Sequence, residues 1–392
     1  MKKKTNKTTE KGFFLTRISR GVLIALGCIF AVIVLLAGVL VGTFFALKTA
    51  GRASMTNRRE NAVTVDSSGT SYEFDSDVVV YNGKRYRMNK NITNFLFMGV
   101  DTGKTEYSTE ESISSYCKEK AERTGVSYES VYNEVMKQRE EQGLDSGVML
   151  PGQADTILLL ALDEENKHVS IISVDRNSMS YFETYDPDGN LMGTSEGQLA
   201  LAYSYGDGGH QSCRMTVAAV SDFLYEIPIH AYYSMKFAAV KELNDAVGGV
   251  EVTIPTDMTM VDESFVEGSR VLLDGKQAES FISARQNVGD GSNAGRIERQ
   301  KLYILSFIES AVKAVKSDLG LPLELYNRIA KNSYTDLTAS EIVYLANFAT
   351  DVDISFHSIK GTTNSDGFYA EFRPDEDALW QLILDIFYIC EE

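Results

Sequence analysis

The sequence predicts a layered α/β domain with a central mixed sheet, preceded by one N-terminal transmembrane helix. Three observations carry this. From residue 92 onward, short β-branched and apolar runs alternate with amphipathic helical patterns. Ahead of them, a basic head precedes an uncharged apolar run. The 392 residues are 44% apolar and 24% charged, an ordinary globular composition with ample sequence for a core. The formal net charge of −17 excludes a general nucleic-acid binder, since phosphate binding needs a basic surface. Four cysteines in so long a chain exclude a disulfide-framework mini-protein.

Residues 1–20 form a basic tail in which Glu10 is the single acid. Residues 21–47 read GVLIALGCIFAVIVLLAGVLVGTFFAL, long enough at about 1.5 Å per residue to cross a hydrocarbon core of roughly 30 Å. A cleavable signal peptide has a shorter apolar region and an A-x-A-like site, which this run lacks. Seven bases precede the span, while Lys48, Arg52, Arg58 and Arg59 follow it. The positive-inside bias therefore puts the N-terminus in the cytoplasm and the acidic bulk outside, in a single-pass cell-membrane protein. Residues 48–91 read as a stalk with a small β element, because VVVYNGKRYRM (78–88) is a hairpin pattern around Asn-Gly.

The extracytoplasmic domain follows over 92–392. TNFLFMGVD (93–101) reads as a buried strand that delivers Asp101 at its end. Residues 104–150 form a charged helical insertion. ADTILLLALD (154–163) and KHVSIISVD (167–175) are strands of a hairpin, and 176–197 is a long Asp/Gly/Ser-rich loop. Helical patterns occupy 198–205, 211–225 and 236–247, then a strand closes at Pro255. LLDGKQAESFISARQ (272–286) is a turn and a helix, and 296–316 is an amphipathic helix. Thr338 and Glu341 make a capping box. Asp375 opens a terminal helix with Leu379, Leu382, Ile383, Ile386 and Phe387 as its apolar stripe. Cys28 lies in the span; Cys117, Cys213 and Cys390 lie where disulfides are permitted. A Cys117–Cys213 bond and isolated buried thiols are the two alternatives.

Several motifs fail on context. Gly193-Thr-Ser195-Glu-Gly197 fits a nucleophile elbow, but it sits in a polar stretch instead of a strand-to-helix turn. Gly99 to Thr105 is one residue short of a P-loop. Asp186, Asp188 and Asn190 start an EF-hand pattern that Leu191 breaks. The four histidines show no zinc spacing.

One constellation survives. Asp101 and Asp155 each end an apolar strand pattern, and Arg176 follows the next one. Arg285, Arg296 and Arg299 fall close together with Gln300 beside them, near a helix start that itself favours an anion. Two aspartates suit a hard divalent cation and several arginines suit phosphate oxygens, as phosphoryl transfer requires. Ordinary surface salt bridges are the bland alternative.

NFLFMGVDTG, GQADTILLLALDEENKHVSIISVDRNSM, QLALAYSYGDGG, IPIHAYYSMKFAAVKELNDAVGGVEVTIP, LDGKQAESFISAR and GRIERQK resemble, in order and spacing, the successive blocks of the LytR-CpsA-Psr family. The resemblance covers about residues 92–316. It implies an extracytoplasmic α/β/α domain with a deep apolar pocket for a polyprenyl chain, and a pyrophosphate held with magnesium at the mouth. Members transfer a glycopolymer, such as teichoic acid or capsule, from its lipid carrier to peptidoglycan. A muramic acid hydroxyl attacks the sugar-proximal phosphate and leaves a phosphodiester. At matching positions, Asp101 and Asp155 are the metal pair. Arg176, Arg285 and Arg296 bind the pyrophosphate as catalytic residues; Gln198, Arg299 and Gln300 belong to the same substrate site. The partners implied are a polyprenyl-pyrophosphate-linked glycopolymer, peptidoglycan and the membrane, with no nucleic acid.

The chain also departs from the family pattern. Gly103 and Lys104 replace the usual Arg after GVD-x, Asn177 replaces an Asp, Gln198 a Lys, Ala200 an Asn, and Ser283 an Arg. Asn293 replaces the Asp that could orient or deprotonate the acceptor hydroxyl, with Asp290 three residues away as a substitute. An active, retuned transferase and a non-catalytic polyprenyl-pyrophosphate binder are the two readings.

Overall fold

The computed structural model describes residues 42–60, 64–65, 71–72, 78–101, 114, 117–118, 121–122, 125–141, 152–185, 191–284, 288–289, 291, 293–364 and 369–391. The chain divides into Met1–Ala46 and Leu47–Glu392. Of the first unit only the helical residues 42–46 are described, so the span expected at 21–47 lies largely outside the described residues. Among the described residues no helix is long and apolar enough to cross a membrane.

Helix α1 covers residues 42–60. Where the sequence suggests a stalk, its later turns pack against the main unit. Met55 is buried, and Arg58 pairs with Glu341 at 2.7 Å and Asp336 at 2.9 Å. Strands β1 (Val78–Tyr81) and β2 (Lys84–Met88) form the expected hairpin. Asn82 and Gly83 take φ of 49° and 76°, the two positive values that a type I′ turn needs. Strand β2 also pairs with Tyr388–Glu391 from the far end of the chain.

β3 (Ile92–Asp101), β4 (Gln153–Asp163) and β5 (His168–Val174) form the middle of a six-stranded sheet. β8 (Ala231–Lys236) lies beside β3, and the short β11 (Ser333–Thr335) lies outside β8; β12 (Asp353–Ser358) flanks β5. The order is β11-β8-β3-β4-β5-β12. β8 runs parallel to β3 and β12 parallel to β5, while the other three pairings are antiparallel. The mixed sheet is as expected. The insertion contributes α2 (Tyr128–Glu141), whose Val131 and Val135 pack on Cys117.

The polar stretch 176–197 corrects the sequence reading. It is a hairpin of β6 (Met179–Tyr185) and β7 (Leu191–Gln198), not a loop. Its second strand, LMGTSEGQ, is mostly solvent-facing and so lacks an apolar alternation. Ser195, in the middle of β7, is no nucleophile elbow. Strands β8, β11 and β12 are not anticipated in the sequence reading.

Helices cover both faces of the sheet. α3 (Leu199–Ser204), α4 (His210–Phe223) and α10 (Glu376–Phe387) close one face, where Leu96, Met98, Val100, Ile157, Leu159 and Ile172 are fully buried. Each such side chain contributes about 1.5–3 kcal/mol relative to an exposed one. The opposite face meets α7 (Asn293–Ser317) and α9 (Ala339–Phe348). There Phe95, Phe97, Leu160, Ile304, Ile308 and Phe348 are only partly buried. α5 (Ala238–Ala246) and α6 (Gly275–Ser283) sit in a neighbouring cluster with β9 (Val250–Thr253), β10 (Arg270–Leu273) and the end of α8 (Leu321–Ile329). The expected capping box is present at Thr338/Glu341, and a second, not anticipated from the sequence, forms at Asp274/Gln277.

Cys117 and Cys213 lie in separate apolar clusters, so the structure takes the buried-thiol alternative, not the disulfide. Burial pushes the Cys213 thiol up to about 12.

Candidate functional site

The site grows from an irregularity between β3 and β4. Gly99 opposes Thr156 and Val100 opposes Ala154, so Asp155 is an extra residue on β4, a bulge. A bulge re-aims side chains. Ala154 and Ile157 both belong to the fully closed core, whereas Leu158 and Leu160 face α7. The extra residue thus places Gln153 and Asp155 on the α7 face. On β3, Leu96, Met98 and Val100 face the closed core, so Phe97, Gly99 and Asp101 face α7 as well. Gly99 is needed at the bulge, because a Cβ there would lie 3.0 Å from Thr156 Cβ and 3.1 Å from Phe237 Cε1.

Asp155 sits between two guanidiniums. Its Oδ1 pairs with Arg176 Nη1 and its Oδ2 with Arg296 Nη1 at 3.2 Å. Side-chain exposure is 7% for Asp155, 14% for Arg176 and 3% for Arg296. Arg176 follows β5, and Arg296 lies in the first turn of α7, where a cation opposes the helix dipole. The Asp155 charge and its desolvated ion pairs hold it there. Arg176 Nη2 also donates to Gln153 Oε1. Gln153 is the direct cross-strand partner of Asp101, which is exposed at the end of β3. Thr156 Oγ1, one residue on, is buried with no hydrogen-bond partner among the described residues.

The formal charges of Asp101, Asp155, Arg176 and Arg296 sum to neutrality, so the four together offer a doubly negative ligand no net counter-charge. Asp101 and Asp155 share a face on adjacent strands as diagonal neighbours, where Cα atoms stand about 7–8 Å apart or less. Among the described residues no group of three or more metal-ligating side chains gathers. Two carboxylates plus ligand phosphates is a donor set that Mg²⁺ accepts. The residues fit that ion.

Other expected site residues are placed differently. Arg299 donates from Nε to the Phe281 carbonyl at 3.1 Å and from Nη2 to that of Ala284; Gln300 reaches the Ile282 carbonyl at 3.4 Å. Both residues bind the last carbonyls of α6 to α7, a structural task that helix ends require. Gln198 is buried and donates to Asn177 and the Ala370 carbonyl. Ser283 turns back to the Glu279 carbonyl. Asn293 is the first residue of α7; its side chain, Arg285, Asp290, Gly103 and Lys104 lie outside the described residues. Gln153 and Thr156 escaped the sequence reading. Their signal was adjacency to Asp155, hidden because the bulge inverts the strand's alternation.

A model of the LytR_cpsA_psr family matches residues 136–382. An Enterococcus faecalis protein named polyisoprenyl-teichoic acid–peptidoglycan teichoic acid transferase TagU is 27% identical over 203 residues, 52% of this chain and 61% of that protein. Bacillus subtilis TagV, named likewise, is 26% identical over 48% of this chain and 46% of its own length. The matched stretch thus spans about three fifths or less of these two relatives. The crystal structure of B. subtilis TagV superposes with a TM-score of 0.51 at 21% identity, covering 76% of this chain and 97% of that one. A Streptococcus agalactiae structure gives 0.52 at 19%, covering 76% and 86%. Both likenesses concern the fold alone.

Proposed function

The chain belongs to the LytR_cpsA_psr family, and from that premise we propose that it transfers a teichoic-acid-like glycopolymer from a polyprenyl-pyrophosphate carrier to peptidoglycan. One arrangement carries the proposal. A single sheet face joins a partly open apolar layer to a buried Asp–Arg–Arg cluster at the end of the strands. That is the shape of a long apolar chain with an anionic head. Phe95, Phe97, Leu160, Ile304 and Ile308 would line the isoprenoid, whose burial is worth about 25 cal/mol per Å². Arg176 and Arg296 would clamp the phosphate oxygens, and Thr156 Oγ1 would donate to one. Anchoring by residues 21–47 would keep the domain at the membrane that holds the carrier.

In the reaction, an acceptor sugar hydroxyl attacks the phosphorus next to the polymer. The bond from that phosphorus to the bridging oxygen breaks, polyprenyl phosphate leaves, and a phosphodiester joins polymer to wall. Asp101 and Asp155 are the residues that would hold Mg²⁺, which would supply charge neutralisation for the phosphate oxygens. Asp155 keeps both guanidiniums aimed at one place, so little reorganisation is needed as charge builds on the phosphorus oxygens. The hydroxyl proton ends on the departing polyprenyl phosphate, and Asn293 has no carboxylate to carry it there. That substitution favours the second reading, a carrier-lipid binder without turnover.

A synthetic polyprenyl-pyrophosphate disaccharide with peptidoglycan fragments separates the readings. Release of polyprenyl phosphate together with a labelled wall fragment supports transfer. Stable binding without release supports the binder, and absence of both overturns the site.

A further inference from the structure

Two of the departures from the family pattern, Asn177 and Gln198, meet in space. Gln198 Nε2 donates to Asn177 Oδ1 at 3.2 Å and to the Ala370 carbonyl at 2.6 Å. The residues are 5% and 7% exposed, Gln198 and Asn177 respectively. Both amide hydrogens of Gln198 are thus engaged inside the protein.

The hydrogen bonds of these two residues among the described residues hold the turn that carries Arg176. Gln198 ends β7, and the next two amides, Leu199 and Ala200, donate to the carbonyls of Ser178 and Arg176 at 2.9 and 3.0 Å. Asn177 donates its own amide to Asp175 Oδ1 at 2.9 Å, and its carbonyl accepts from Phe372 at 2.9 Å. The turn is therefore gripped by the start of α3 on one side and by 370–372 on the other. The Gln198 side chain spans the two grips.

We infer that Asn177 and Gln198 are a coupled, uncharged positioning pair for Arg176. Gln198 acts through the Arg176 turn, not by contact with substrate. An Asp at 177 and a Lys at 198 would be a charge-matched version of the same link. A buried site tolerates either matched pair far better than a single buried charge. The inference rests on the phosphate-site reading above.

The test uses the full chain in detergent, with magnesium pyrophosphate as the calorimetric probe. Asn177→Asp and Gln198→Lys should each weaken binding by about tenfold, and the double variant should return to within about threefold of the parent. Gln198→Met keeps packing without donors. It should weaken binding while thermal unfolding shows an intact fold, and it should add little once Arg176→Ala is present. Additive single effects, or Gln198→Met binding as the parent does, overturn the pair. Arg176→Ala without effect on affinity fells the phosphate-site reading and this inference with it.

Discussion

Asp101 and Asp155 should behave oppositely when each is changed to alanine. Asp155→Ala leaves the guanidiniums of Arg176 and Arg296, 14% and 3% exposed, without the carboxylate that both engage. Removing one partner of a buried pair costs about 3–5 kcal/mol, and two like charges left together place this case near the upper end. Unfolding entropy is about 2.1 cal/mol/K per residue, or about 0.7 kcal/mol/K for a unit of roughly 350 residues, so a loss of about 4–5 kcal/mol lowers Tm by about 6–7 °C. Asp101 is exposed, and its removal should leave Tm within about 1 °C. Circular dichroism gives both melting curves, and calorimetry with magnesium pyrophosphate gives the binding. Asp101→Ala should lose the magnesium-dependent share of affinity with its fold untouched. An Asp155→Ala protein that melts with its parent refutes the reasoning that this carboxylate is the structural counter-charge of Arg176 and Arg296.

His230 should make stability fall in mild acid. Burial, opposed by the Asn94 amide and helped by Arg59 and Arg58, lowers its pKa from 6.5 to about 4. The folded state then binds fewer protons than the unfolded one between those values. The contribution is complete above pH 6.5 and is lost as pH falls toward 4, roughly 3 kcal/mol in all. His230→Gln should flatten that part of a urea-derived stability profile. Arg58→Ala strands the fully buried Glu341 and should cost about 3 kcal/mol by urea unfolding, with Glu341→Gln costing less. Gly99→Ala should cost about 1–3 kcal/mol and weaken pyrophosphate binding, since the new Cβ presses on Thr156 beside Asp155; unchanged affinity would separate the bulge from the site.

The central strands and helices were legible because their apolar periods are strong: LLLALD and VSIISV fill both faces of a buried sheet, and the stripe on α10 is continuous. The β6–β7 hairpin was illegible because one strand faces solvent. Asp155 and Arg296 could be paired as chemistry from the sequence, yet Arg299 and Gln300 look identical there, three and four residues further along. In the structure those two bind carbonyls at the end of α6, whereas Arg296 reaches Asp155. The link between Asn177 and Gln198 needed the fold, since 21 residues and a hairpin separate them.

The contacts of α1 and β2 also set the timetable on which the molecule can be completed. Arg58 finds Glu341 283 residues later, and Arg87 finds Glu391 304 residues later. Sheet edge β5 likewise waits for β12. During synthesis the first helix and hairpin emerge long before these partners, and loop closure over such distances is slow. The early segments must therefore stay open, with Met55 and the edge of β2 uncovered, until the last part of the chain arrives. A nascent chain of this kind is exposed to proteases and to chaperones for most of its production, and a small truncation at its far end would leave its beginning unfinished.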